Sequence, residues 1–298
     1  MGPSKLILIN DHSKTEAIYN ASIKYLEEHD DIKKDIATHL WAYHEIGDIV
    51  PQTVDNFMSG HFFPYLESYL HLENSCELCL QGFYTYAFFA LRSALELGIL
   101  YVNFALNDKE YEEVLPWISS QIRTPQFNQF LNRISQLENI KRFNDHFDII
   151  NRVSELYDEL SGFVHTRGLF HSSRRVSRAN FNQFVERSLI EYRKKMFSVV
   201  SDVIIIMLLK YPIGMQPLPL SQKFGLNIPA GGFLEAYQVD IITSILEPKE
   251  REFLKKLSDE DPFTRQIVEH FESLPDLSEE EWKKQIEEFD KENPNLVK

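Results

Sequence analysis

Two opposite charges lie four residues apart inside an otherwise apolar stretch of the sequence. Arg92 and Glu96 are flanked by leucine and phenylalanine residues, and a spacing of four places both side chains on one face of a helix. Because a charge inside a protein must be paired or hydrogen-bonded, the pattern predicts an inward-facing ion pair that fixes the register of the helix. The alternative is a functional polar pocket built around the same pair.

A second set of polar side chains follows about sixty residues later. Tyr157, Ser161 and His165 are spaced four apart, so a continuous helix would present two hydroxyl groups and an imidazole on one face. Gly162 interrupts the run and weakens this expectation. If the face meets the charged pair, an internal polar cluster forms in a helical bundle, and the alternative is a polar seam whose groups satisfy one another.

A basic window covers residues 163–195, where eight Lys and Arg stand against two Glu, a net charge of +6. One guanidinium group can donate two parallel hydrogen bonds to a phosphate. Arg174, Arg175 and Arg178 are therefore candidates for phosphate or RNA binding. The chain as a whole carries a net charge of −14, which repels polyanions. We therefore favour a contact with a protein partner or with the chain's own acidic end, and keep RNA as the alternative.

Motifs for metals and cofactors are weak or missing in the sequence. Cys76 and Cys79 have the spacing of half a zinc site, but no second pair exists to complete it. The sequence lacks a His-Glu-x-x-His motif, a Gly-rich phosphate loop, a nucleophile elbow and a dinucleotide fingerprint. We expect no metal site and no cofactor, dinucleotides included. Two cysteines are too few for a secreted disulfide framework, and the short apolar run at 6–9 is too brief for a secretory signal, so we expect a cytoplasmic protein.

The elements that must position these side chains are helices. Apolar residues recur three and four apart through most of the chain, which is the helical period. The pattern predicts an all-α helical bundle with helices near 15–28, 32–46, 62–80, 83–105, 110–120, 125–137, 147–160, 181–209, 248–257, 261–271 and from Ser278 onward. The segments 82–106 and 199–209 are apolar, but Arg92, Glu96 and Asp202 make them core helices rather than membrane spans.

Proline and glycine divide the chain into segments. They concentrate at 212–232, which predicts a linker or an extended wrap. We expect an N-terminal helical segment at 1–60, a core bundle at 61–211, and a small acidic helical segment at 233–298. That last segment holds 18 Asp and Glu against 9 Lys and Arg, and so carries most of the negative charge of the chain.

The residues also suggest a family. A helix beginning Gly82-Phe83-Tyr84 and reaching Leu91-Arg92-Ser93-Ala94-Leu95-Glu96 is followed by Tyr157-Asp158-Glu159-Leu160-Ser161-Gly162-Phe163-Val164-His165. This pairing resembles the HEPN-like helical-bundle proteins of bacteria, over roughly residues 60–210. The resemblance implies a compact bundle and an association with toxin, stress or phage-defence systems, in which some members cleave RNA without a metal.

Those ribonucleases carry an Arg, a polar residue and a His, usually at a homodimer cleft. The nearest match here runs from Arg167 to His171. Gly168 stands at the polar position, and fewer residues separate the Arg from the His than in those ribonucleases. Arg142 and His146 have the same short spacing. Cleavage by general acid–base catalysis needs the imidazole and the guanidinium to converge on one phosphate.

These departures favour a non-catalytic helical binding or regulatory protein with a protein partner or a homodimeric state. The alternative is a metal-independent ribonuclease in which His165 or His171 is the general acid–base and Arg167 stabilises the phosphorane. A third hypothesis is a small-molecule sensor with an aromatic pocket around Tyr84, Phe88 and Phe89.

Overall fold

The computed structural model describes residues 12–50, 60–106, 113–172, 183–228 and 231–292. This part of the chain is all α-helical and contains no strand, only one isolated bridge between Leu218 and Glu235. The predicted all-α helical bundle is confirmed. The α-helices in the described residues are α1 His12–Glu28, α2 Asp30–Glu45, α3 Phe63–Leu80, α4 Tyr84–Phe104, α5 Val114–Ile118, α6 Phe127–Ile134, α7 Glu138–Phe147, α8 Ile149–Val164, α9 Glu186–Lys210, α10 Leu220–Phe224, α11 Ala236–Ser244, α12 Pro248–Glu260, α13 Pro262–Ser273 and α14 Glu279–Glu292. Short 3₁₀ helices occupy Ile46–Ile49, Leu169–His171 and Pro212–Met215.

Helix α4 forms the centre of the bundle. It packs against α3, α6, α8 and α9, and fifteen of its residues are buried. A helix that is hydrophobic on all sides must be surrounded on all sides, which explains why four helices pack around it. By length and hydropathy α4 could cross a membrane, but most of it lies inside the bundle, as a core helix of a soluble protein does.

Three helices were not expected from the sequence. They are α7, α10 and α11. Helix α7 buries only Ile140 and Phe143, a pattern too short to stand out by period. Asp148, with a φ of 49°, then ends α7 and begins α8. The left-handed region is uncommon for a residue other than glycine, so the break was hard to foresee.

The Pro- and Gly-rich segment predicted as a linker at 212–232 alternates between buried and exposed residues where it is described, and its first half contributes to the core. Ile213, Met215, Leu218 and Leu220 all belong to the hydrophobic core. A Cβ at Gly214 would collide with the side chains of Ile49 and Leu208, so this glycine permits close packing. Residues 212–228 thus wrap tightly against the bundle instead of running free between two units.

The acidic segment from 233 onward also packs on the bundle. Helix α11 lies against α2, and α12 contacts α7, α9 and the 3₁₀ helix Pro212–Met215. Leu234, Ile242, Leu254, Leu257 and Phe271 are buried in the same core as α4. The segments distinguished in the sequence therefore share one core in the described part of the chain.

Candidate functional site

Arg92 and Glu96 form the predicted pair on α4, and a third group joins them from α8. Arg92 Nη1 donates to Glu96 Oε2 at 2.7 Å, and Arg92 Nη2 donates to the hydroxyl of Tyr157. That hydroxyl in turn donates to Glu96 Oε1 at 3.3 Å. The side chains of Arg92 and Glu96 are only 22% and 18% exposed, so the three groups make a closed, partly buried network. The structure therefore brings together three of the five residues expected in the polar cluster.

The aromatic ring of Tyr157 is held in place from outside α8. Phe127, the first residue of α6, stacks on it with ring centroids 3.7 Å apart and an angle of 1° between the planes. The guanidinium carbon of Arg92 lies 4.7 Å from the same centroid. Burial, followed by the nearby Glu96 carboxylate, raises the pKa of Tyr157, so the hydroxyl stays protonated and able to donate. Phe127 could not be assigned to this cluster from the sequence, because its contact with Tyr157 joins two helices and residues thirty positions apart.

A cleft of about 550 Å³ opens beside this network. Its floor includes Glu96 and Tyr157, and its rim carries Asp158 and Arg167. The lining consists of Glu96, Thr124, Pro125, Gln126, Phe127, Asn128, Ser154, Tyr157, Asp158 and Arg167. The volume lies within the range of small-ligand sites, and most lining groups are polar. We take this cleft as the candidate functional site.

Ser161 and His165 do not complete the polar cluster. Ser161 is 4% exposed, and its hydroxyl has no hydrogen-bond partner in the described residues. It is not among the residues that line the cleft. Helix α8 ends at Val164, so His165 lies just beyond it and is exposed. The predicted row of two hydroxyls and an imidazole on one helix face is therefore incomplete, because His165 lies beyond the end of the helix.

Arg167 and His171 are engaged with different partners. Arg167 Nη1 donates to Asp158 Oδ1 at 2.7 Å. His171 Nδ1 lies 3.0 Å from the main-chain carbonyl oxygen of Arg167, and its ring packs edge-on against Phe163, with centroids 5.0 Å apart. A Cβ at Gly162 would lie 2.5 Å from the His171 ring, so the imidazole rests on the bare backbone of α8. No hydrogen bond between the imidazole and the guanidinium is found within the described residues.

The basic window is neutralised locally where the structure describes it. Arg193 pairs with Asp35 at 2.9 Å, and Lys195 pairs with Glu159. Arg174, Arg175 and Arg178 lie outside the described residues. The ion pairs found for Arg193 and Lys195 in the described residues join the window to α2 and α8 rather than to the acidic end.

Helix α12 is held instead by arginines from α7 and α8. Arg152 Nε donates to Asp202 Oδ1 at 2.8 Å, and Arg152 Nη1 donates to Glu250 Oε1 at 2.5 Å. Arg142 pairs with Glu260 nearer the surface. Asp202 is 2% exposed, and burial raises its pKa to about 7, against the opposing influence of Arg152. This second charged cluster joins α8, α9 and α12, and no local spacing in the sequence predicts it, because its residues lie 50 and 98 positions apart.

The cysteines and the aromatic residues proposed for a sensor pocket are packed into the interior. Burial raises the pKa of Cys76 to about 11, and Cys79 is buried as well, so neither thiol is a ready metal ligand. No group of three or more His, Cys, Asp or Glu suited to a metal occurs among the described residues. Tyr84 accepts the N–H of Val185 at 2.9 Å, and Phe88 stacks on Phe163. These rings fill the core rather than line a pocket.

No family model, curated protein or solved structure matches this chain.

Proposed function

We propose that this chain is a non-catalytic helical binding or regulatory protein that receives its ligand in the cleft above Arg92, Glu96 and Tyr157. The observation that carries the proposal is the construction of that cleft. Its floor is a closed network of charge-assisted hydrogen bonds, braced by the stacking of Phe127 on Tyr157. The hydroxyl of Tyr157 is held by Arg92 and Glu96, and its ring is held by Phe127, although Arg92 Nε has no hydrogen-bond partner in the described residues. A polar floor whose side chains are positioned in advance is suited to recognising a ligand.

The positions of the candidate catalytic groups support binding over RNA cleavage. A ribonuclease of the metal-independent kind needs an imidazole and a guanidinium on the same phosphate. His165 is exposed beyond the end of α8, whereas His171 rests on Gly162 and Arg167 bonds to Asp158. These three groups would have to rearrange before they could act together.

The wider setting of the proposal rests on the resemblance to HEPN-like bundles. On that basis we propose a cytoplasmic protein of a bacterial stress or phage-defence system that works with a protein partner or as a homodimer. RNA contacts through Arg174, Arg175 and Arg178 belong to the alternative function, in which the chain is a ribonuclease.

The distinction between binding and cleavage can be tested with labelled RNA. The full chain is incubated with single-stranded and structured RNA in EDTA, beside a His165→Ala/His171→Ala variant purified in the same way. We expect equal, background-level cleavage from both proteins. Cleavage by the wild-type chain that disappears in the double variant would replace the binding proposal with the ribonuclease.

The role of the cleft can be tested by filling it. Ser154 is half-buried in the lining, so Ser154→Trp places a large ring in the cleft. A broad panel of metabolites is screened by thermal shift against both proteins. We expect at least one compound to stabilise the wild-type chain but not the variant; stabilisation of both to the same extent by every active compound would exclude the cleft as the site.

A further inference from the structure

Two ion pairs contribute a residue or more to the cleft lining, and they differ in their exposure to water. The floor pair, Arg92 and Glu96, is shielded from water and closed by Tyr157. The rim pair is open: the side chain of Arg167 is 48% exposed and that of Asp158 is 68% exposed. An exposed pair contributes little, because water competes for both partners. Arg167 can therefore change partner at small cost, while the floor stays in place.

The two ends of the cleft offer opposite chemistry to a ligand. On the floor, Glu96 Oε1 accepts only long hydrogen bonds, 3.3 Å from Tyr157 and 3.5 Å from Arg92. This oxygen therefore has room for a stronger donor. At the rim, the guanidinium of Arg167 uses Nη1 toward Asp158 and keeps further N–H donors. The cleft thus has an acceptor at its base and a movable cation at its mouth.

The charge of the lining argues against a highly charged anion. Two carboxylates, Glu96 and Asp158, and the guanidinium of Arg167 line the cleft, and Arg92, which pairs with Glu96, brings the charge of the four groups to zero. A phosphate dianion would find no net positive charge to balance it, whereas a ligand with one positive and one negative end would match both ends of the cleft. The hydroxyl of Ser154 and the amides of Gln126 and Asn128 add neutral hydrogen-bonding groups between them.

We propose that the cleft binds a small zwitterion of the amino-acid class. The ligand ammonium donates to Glu96 on the floor, and its carboxylate accepts from Arg167, which leaves Asp158 to water. This inference rests on the proposed function, because it names the class of ligand for the same cleft. The closed floor fixes one end of the ligand, and the rim cation closes on the other.

The test uses the full chain and the twenty free amino acids, each by thermal shift and then by calorimetric titration. We expect at least one amino acid to bind. Its N-acetyl and methyl-ester derivatives each lose one charged end, and each should bind about tenfold more weakly or worse. Arg167→Ala should weaken binding to a similar degree, as should Glu96→Gln if circular dichroism shows that this variant folds.

Arg133→Ala is the matched control, since Arg133 forms an ion pair of similar exposure with Glu113 at 2.9 Å outside the cleft. It should leave binding unchanged. The zwitterion proposal is overturned if no amino acid binds, if inorganic phosphate binds more tightly than every amino acid, or if Arg167→Ala and Arg133→Ala bind equally well. A different compound class whose binding is lost in Ser154→Trp would overturn the zwitterion and leave the binding function standing.

Discussion

The carboxylate of Asp202 is bonded at one oxygen and isolated at the other. Oδ1 accepts from Arg152 at 2.8 Å, while Oδ2 is buried without a partner in the described residues. Glu250 shares the same arginine and adds a second negative charge close by. Removing an ionised carboxylate from water is costly unless it is fully compensated, and one shared guanidinium compensates two carboxylates incompletely. This explains why the pKa of Asp202 is raised.

The shift predicts how stability depends on pH. The pKa of Asp202 is about 7 in the folded protein against a reference value of 3.8, so the folded state holds an extra proton between these values. Its contribution to the free energy of unfolding is therefore present below about pH 4 and is lost as the pH rises through 7. The loss is on the order of 4 kcal/mol at most.

The variant Asp202→Asn has no titrating carboxyl group at this position, so it should lose this pH-dependent contribution to the free energy of unfolding. The amide oxygen of the variant can still accept a hydrogen bond from Arg152. Urea denaturation at several pH values from 4 to 8 should show a flatter profile for the variant than for the wild-type chain. Parallel profiles for the two proteins would show that Asp202 has an ordinary pKa in the folded state.

At this scale the sequence predicted contacts within one helix better than contacts between helices. The four-residue spacing of Arg92 and Glu96 was enough to pair them. The stacking of Phe127 on Tyr157 joins two helices, and Arg152 binds a carboxylate 98 residues away. Such contacts depend on how helices cross, which a local period does not specify.

Helix α8 and the turn that follows it are fitted to each other at Gly162. The helix continues through this glycine, and the chain then reverses through Thr166 and Gly168, both with positive φ. The reversal returns His171 onto the helix, with its ring where a side chain at 162 would stand. Gly162, which weakened the helical prediction, does not break the helix. Its missing side chain leaves the space that the His171 ring occupies.

A double-mutant cycle can test this fit. Alanine in the middle of a helix usually stabilises it relative to glycine by about 0.5–1 kcal/mol, but Gly162→Ala should here destabilise the protein by about 1–3 kcal/mol through the collision with His171. Gly162→Ala/His171→Ala should recover most of the loss in urea denaturation. Equal destabilisation in the presence and absence of the imidazole would contradict the proposed fit.

The long helices were all predicted, and the helices that were missed are short, for a physical reason. Helices α3, α4 and α9 bury many residues, so their apolar period is repeated several times. Helix α7 buries two residues and α11 buries four. A pattern of so few turns cannot be distinguished from an irregular segment until its packing partners are known.

The described part of the molecule is organised around one core, to which residues from Tyr25 to Phe271 contribute. The predicted boundary near 212–232 followed from its breakers, but Ile213, Met215, Leu218 and Leu220 within it are buried in the core. Proline and glycine indicate where helices end, but they do not indicate whether the chain leaves the core. Helix α14 differs from the rest of the acidic segment, since none of its residues is buried.

Two truncations follow from this difference. A chain ending at residue 277 lacks α14 but keeps every buried residue of the acidic segment, so it should unfold cooperatively with a loss of about 1–2 kcal/mol. A chain ending at residue 232 lacks Leu234, Ile242, Leu254 and Glu250, and exposes the surfaces they cover. We expect it to show no cooperative transition in urea, followed by circular dichroism.

The outcome that would contradict a single core is cooperative unfolding of the shorter chain at nearly the wild-type midpoint. Residues 233–298 would then be an independent unit attached by a linker, as the breaker pattern alone predicts.

The position of α4 at the centre of the bundle also affects how the protein must be made. Its apolar surface emerges from the ribosome well before α9, which begins at Glu186 and covers it in the finished bundle. At ordinary rates of synthesis this interval is roughly 5–20 s. For that time a segment apolar enough to cross a membrane is only partly covered, so we expect the nascent chain to need chaperones that shield α4 from aggregation and from the insertion machinery until α9 is made.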